Sequence, residues 1–150
     1  MNAKDATRAA EIFGEPVYSY SRAQALEGGY LVDVSETAQE AGFCFQVELT
    51  RAAWEDCVAW DEADTHRKGW PQDEAGRLWD LLTMTRFYMR GAIRRDPAAD
   101  RFNLQVLRVP REGRGYKARI VTLVAHVGPG DQGEPVITIG QSADFQARSS

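Results

Sequence analysis

Asp73-Glu74-Ala75-Gly76-Arg77-Leu78-Trp79-Asp80-Leu81-Leu82-Thr83-Met84-Thr85-Arg86-Phe87-Tyr88-Met89-Arg90-Gly91-Ala92-Ile93-Arg94-Arg95 repeats its core-type side chains at helical spacing. Leu78, Leu81, Leu82, Thr85, Tyr88, Met89, Ala92 and Ile93 recur three and four residues apart, which puts them on one face. Asp73 suits a cap for the first turn, and Pro97 is a stop beyond the last. The stretch predicts one long helix from near Asp73 to Arg95, with a single apolar stripe that needs a layer to cover.

That layer follows in the chain. Phe102 to Val109, Tyr116 to Val127 and Pro135 to Ile139 are runs rich in β-branched residues. A basic, glycine-containing turn (Pro110 to Gly115) separates the first two, and Gly128-Pro129-Gly130-Asp131-Gln132-Gly133 separates the last two. They read as a C-terminal antiparallel β-meander beneath the helix. Upstream the elements are short and alternate. A helix is expected over residues 5–13, with an extended run from Val17 to Tyr20 after it. Ser21 and Gln24 form a capping box for a helix that Gly28-Gly29 ends. Tyr30 to Val34 is a strand, Ser35 caps a helix that Gly42 closes, and Phe43 to Leu49 alternates as a second strand. Thr50 caps a helix bearing Trp54, Cys57, Val58 and Trp60, and Asp61 to Asp73 reads as a polar loop. The fold class is α+β: short alternating helices and strands, one long helix, then the meander. Residues 1–141 form one domain and residues 142–150 a short flexible tail.

Composition narrows the function classes. A chain of 150 residues can bury a packed core without staples. Cys44 and Cys57 read as free thiols of a reducing cytoplasm rather than a disulfide framework. With His66 and His126 far apart in sequence, no metal site is expected, and no cofactor motif is present. The polar N-terminus has no apolar core of a signal peptide, and no run suits a membrane span. The expectation is a cytoplasmic protein that does not enter membranes.

The formal charge of −4 hides a split: residues 1–80 carry 7 basic and 16 acidic side chains, and residues 81–150 carry 11 and 6. Such asymmetry points to a charged partner. On the long helix Arg86, Arg90 and Arg94 recur every four residues as a ladder, and Arg95 adds to the same end. Trp79 shares its flank, and Phe87 projects away from the core stripe. Guanidinium groups beside aromatics suit phosphate or carboxylate partners, while the plainer reading is a solvated helix end favoured by the helix dipole. Phe87 also leaves a homodimer open. A second basic set, Arg108, Arg111, Arg114, Lys117 and Arg119, gathers at the first meander turn, as a nucleic-acid finger or as edge-protecting charge. Glu55-Asp56 and Asp61-Glu62-Ala63-Asp64 form the acidic counterpart, able to imitate a phosphate backbone or to serve as a hydrophilic segment. No catalytic residue is assigned. The glycine-rich turn lacks a P-loop lysine and leads into a strand, and His126, with Tyr116 or Thr138 as neighbours, reads as structural more readily than as a base.

The stretches Ile12-Phe13-Gly14-Glu15-Pro16-Val17-Tyr18-Ser19-Tyr20-Ser21-Arg22-Ala23-Gln24-Ala25-Leu26 and Leu31-Val32-Asp33-Val34-Ser35 resemble a bacterial domain family of unknown function. The resemblance resumes at Trp54-Glu55-Asp56-Cys57-Val58-Ala59-Trp60, at Asp73 to Asp80, at Gly128 to Asp131 and at Glu134 to Ile139. It implies no active site. It implies a context, accessory cargo of plasmids, integrative elements and phages, where small proteins blunt host defence. The leading expectation is therefore a non-enzymatic anti-defence protein, anti-CRISPR or antirestriction-like, that binds a host nucleoprotein effector and blocks nucleic-acid access. The alternatives are a nucleic-acid-binding accessory protein and a small enzyme acting on nucleotide or RNA, a ribosyltransferase or ribonuclease.

Overall fold

Helix formation in the first half is set by caps. The computed structural model describes residues 21–146, so the helix expected over 5–13 and the run from Val17 to Tyr20 lie outside the described residues. In helix α1 (Arg22–Glu27) the Ser21 hydroxyl accepts from the Gln24 N–H, and the Gln24 side chain returns to the Ser21 N–H. Strand β1 (Leu31–Asp33) leads to α2 (Ser35–Glu40), whose entry is fixed by the Asp33 carboxylate accepting from the Ser35 N–H. Strand β2 (Gln46–Thr50) passes straight into α3 (Arg51–Cys57), capped by the Thr50 hydroxyl as its sequence implied.

The expected loop from Asp61 to Asp73 is instead mostly helical. Helix α4 (Glu62–Lys68) carries a capping box between Asp61 and Asp64, and Gly69 ends it at φ +74°. A polar segment can hold a short helix when both ends are satisfied and its first and last turns carry acidic and basic charge respectively. Helix α5 (Glu74–Arg95) is the long helix, capped by Asp73. Strands β3 (Arg101–Arg108), β4 (Arg119–Pro129) and β5 (Pro135–Gly140) complete the chain. Residues Ser142–Phe145 form one 3-10 turn, tied to β2 where the Thr50 hydroxyl donates to the Asp144 carboxylate, 2.7 Å.

The five strands make one mixed sheet in the order β1-β2-β5-β4-β3. The meander is present as β3-β4-β5, all antiparallel, and β5 then pairs parallel with β2. One face is apolar: Val47, Leu49, Ile137, Ile139, Ala125, Leu123 and Leu104 are fully buried there. Helix α5 covers it with Leu78, Leu81, Leu82 and Ala92, and the buried Thr85 hydroxyl donates to the Leu81 carbonyl within the helix. Each such leucine is worth about 1.5–3 kcal/mol of burial. Ile93, read as part of the stripe, is exposed near the helix end, beyond the reach of that face.

Arg77 is the exception in this layer. It is buried on the first turns of α5 and donates to the carbonyls of Val58, Val109 and Asp56, with its guanidinium 5.0 Å from the Trp60 ring. It ties α5 to the end of α3 and to the chain leaving β3.

Candidate partner interface

The acidic segment and part of the basic turn are brought together. Glu55 and Asp56 lie on α3, Asp61 caps α4, and Asp64 is buried in its first turn. Arg111 reaches all three of its acidic neighbours: Asp64 at 2.8 Å, Glu55 at 2.8 Å and Asp61 at 3.5 Å. Arg108, ending β3, meets Asp56 at 3.2 Å through both carboxylate oxygens. Arg67 pairs with Asp64 within α4. Burial pushes the Asp64 carboxyl up, but the Asp61 N–H together with Arg67 and Arg111 outweighs it and holds the group at about 2. Arg111 moves the other way: burial pulls it down, and Asp64 and Glu55 hold it above its ordinary value. Glu62 stands exposed outside this network.

The arginine ladder divides. Arg86 is half-buried against the α2 exit: a Cβ on Gly42, which sits at φ +102°, would come within 2.9 Å of its guanidinium. Arg90, Arg94 and Arg95 are exposed and have no ion pair among the described residues. With Phe87, Tyr88 and Gly91 they line a shallow groove of about 460 Å3 on the outer face of α5. Phe87 is 69% exposed and meets Tyr88 edge-on, ring centroids 5.7 Å apart. Trp79 is exposed at 41%, two turns nearer the helix start.

Arg114 and Lys117, in the arm between β3 and β4, and Arg119, the first residue of β4, are the rest of the second basic set; all three are exposed and make no ion pair among the described residues.

The opposite sheet face carries a polar row that the sequence does not announce. Register places Asp33, Glu48, Thr138, His126 and Arg101 side by side across all five strands. Arg22, at the start of α1, donates to Glu48 at 3.1 Å and to the Thr138 hydroxyl at 2.8 Å. Glu48 is fully buried, its second carboxylate oxygen has no hydrogen-bond partner, and burial raises its pKa against the pull of Arg22. His126 pairs with Thr138, as its sequence neighbours allowed, while Tyr116 lies outside the strands. Burial lowers the His126 pKa, although Asp100 works the other way. The one available signal was Arg22 itself, the only basic residue between Arg8 and Arg51.

Cys57 is sealed in the core, with its thiol pushed up to about 12 by burial and by Asp56, so it carries no thiolate at neutral pH. Among the described residues no group of three His, Cys, Asp or Glu side chains is placed to hold a metal ion, and no helix is long and apolar enough to cross a membrane. The structure is a small α+β domain, a mixed sheet under one long helix, with unpaired arginines on the outer face of that helix. The chain belongs to DUF6573, a family of unknown function, whose family model matches residues 7–144. No curated protein and no solved structure matches it.

Proposed function

We propose that this protein is a non-enzymatic, cytoplasmic anti-defence factor of mobile elements, anti-CRISPR or antirestriction-like. It docks on a host nucleoprotein effector and blocks access of nucleic acid. One observation carries the docking surface: Arg90, Arg94 and Arg95 surround an exposed Phe87 and are not spent on internal carboxylates. The acidic segment, by contrast, is largely neutralised within the fold by Arg108, Arg111 and Arg67. The unsatisfied demand on α5 is for carboxylates and for apolar cover, which an acidic patch of a partner protein provides. Arginine and aromatic anchors of this kind dominate interface energies, and guanidinium forks fix orientation on carboxylates. The mobile-element setting rests on the family resemblance of the quoted stretches.

A nucleic-acid-binding accessory protein is the second reading, and the free cations of the β3–β4 arm favour it. The test for the leading reading is a pull-down from a host carrying defence systems, joined to a phage or plasmid protection assay. The R90E/R94E/R95E variant is expected to lose capture and protection at least tenfold while its melting curve is unchanged. Full protection by that variant overturns the assignment. So does a dimer that the variant dissolves, since the face would then belong to a second copy.

A further inference from the structure

We propose that the arm between β3 and β4, together with the start of β4, is a binding site for single-stranded nucleic acid, with phosphates held by Arg114, Lys117 and Arg119 and a base stacked on Tyr116. The site is separate from the α5 face, so this inference stands or falls independently of the docking reading.

The arm is built, not loose. Its carbonyls are taken by cations from other elements. Buried Lys68 of α4 donates to Glu112 O at 3.0 Å and to Gly115 O at 2.5 Å. Arg67 donates to Arg111 O at 2.6 Å, and Arg77 to Val109 O at 3.1 Å. Gly113, at φ +71°, makes the turn between these anchors. Tying the carbonyls toward α4 and α5 leaves the side chains to solvent. A buried ammonium spent on two backbone oxygens of a surface arm is a costly device for a loop with no task, and it pre-organises whatever the arm presents.

What it presents is a mixed surface. Arg108 and Arg111 are consumed by Asp56, Glu55, Asp61 and Asp64, which leaves Arg114, Lys117 and Arg119 as free charge. Glu112 is the one carboxylate in the arm itself. Tyr116 is 64% exposed, and Ile120, which lines the same groove, is 62% exposed, with its cross-strand partner Leu107 66% exposed. Arg114, Tyr116, Lys117, Arg119 and Ile120 border a groove of about 650 Å3 at the edge of the sheet, room for a nucleotide-sized group. Cations tracking a backbone beside an aromatic ring for bases is how unpaired strands are held without sequence readout. A duplex hides its base faces and leaves Tyr116 unused. An acidic peptide meets the cations but offers the ring and the Leu107–Ile120 surface no flat partner.

The experiment is fluorescence anisotropy of the full chain with labelled oligo-dT and oligo-U of about twelve nucleotides, within the ~4–16 nucleotides such sites span. Contact with three phosphates predicts a loss of about twentyfold in affinity between 50 and 200 mM salt. Y116A is expected to bind about 5- to 150-fold more weakly, Y116F like the wild type, and R114E/K117E/R119E to lose binding and flatten the salt dependence. All these side chains are exposed, so unchanged thermal melts certify the variants. Absence of salt-sensitive binding overturns the proposal, as does duplex DNA binding as tightly, polyglutamate competing equally, or indifference to Y116A.

Discussion

Arg111 and Asp64 are 47 positions apart in the chain and 2.8 Å apart in space. Their pairing pins the arm after β3 to the first turn of α4. It converts an acidic segment and a basic turn, each of which looks like a free surface in the sequence, into one internal network. Two consequences follow for function: the acidic segment around Asp56 to Asp64 offers less free anionic surface than its sequence implies, and Arg108 and Arg111 are withdrawn from the basic set around the arm.

The Asp64 network sets part of the acid stability. The folded-state pKa of about 2 lies below the ordinary aspartate value, so the contribution is complete above about pH 4 and is lost as pH falls toward 2. The loss is on the order of 2 kcal/mol. Urea melts across that range are expected to show it in the wild type and to show a flatter acid limb in D64N. An identical limb in D64N would remove Asp64 from the account.

Arg77 holds three backbone carbonyls from two other parts of the chain. R77A strands the carbonyls of Val58, Val109 and Asp56, at about 1–3 kcal/mol for each buried group left without a partner. A destabilisation of about 3 kcal/mol or more is expected by chemical denaturation. R77K should recover little of it, because an ammonium cannot fork to three separated acceptors. Wild-type stability in R77A would show that water replaces the guanidinium without cost.

Glu48 has the opposite sign from Asp64. Its pKa is raised in the fold by burial, so the folded state holds the proton after the unfolded chain has released it. Stability therefore declines as pH rises through and above the ordinary glutamate range. E48Q removes this slope, read from denaturation midpoints at pH 4, 6 and 8. A wild-type slope that survives in E48Q would place its origin in another group.

Local signals carried most of the element types. The capping box at Ser21 and Gln24, the Thr50 cap and the stripe from Leu78 to Ala92 are all satisfied within a few residues of the chain, so they are visible in a linear reading. The same holds for the three C-terminal strands, whose turns are glycine-marked. Helix α4 is hidden in a linear reading although Asp61, Asp64 and Gly69 supply its ends, because its polar composition masks the capping pattern. The site was less legible. Helical spacing points Arg90, Arg94, Arg95 and Phe87 outward, and the structure exposes them along one groove, which leaves open what they bind. Whether Glu55, Asp61, Arg108 or Arg111 were free was a question about residues some fifty positions apart, which no window of sequence contains.

The sequence by itself determined the α+β class, the long helix with its buried stripe, the meander and the pool of charged side chains. Those follow from caps, turns and periodicity, which act over a few bonds. Only the tertiary structure decided that β5 lies parallel against β2, that Arg22 reaches Glu48 and Thr138, and which charges cancel. These are outcomes of chain crossings that bring distant side chains within hydrogen-bond reach. Charge adds along a sequence, but it pairs in space.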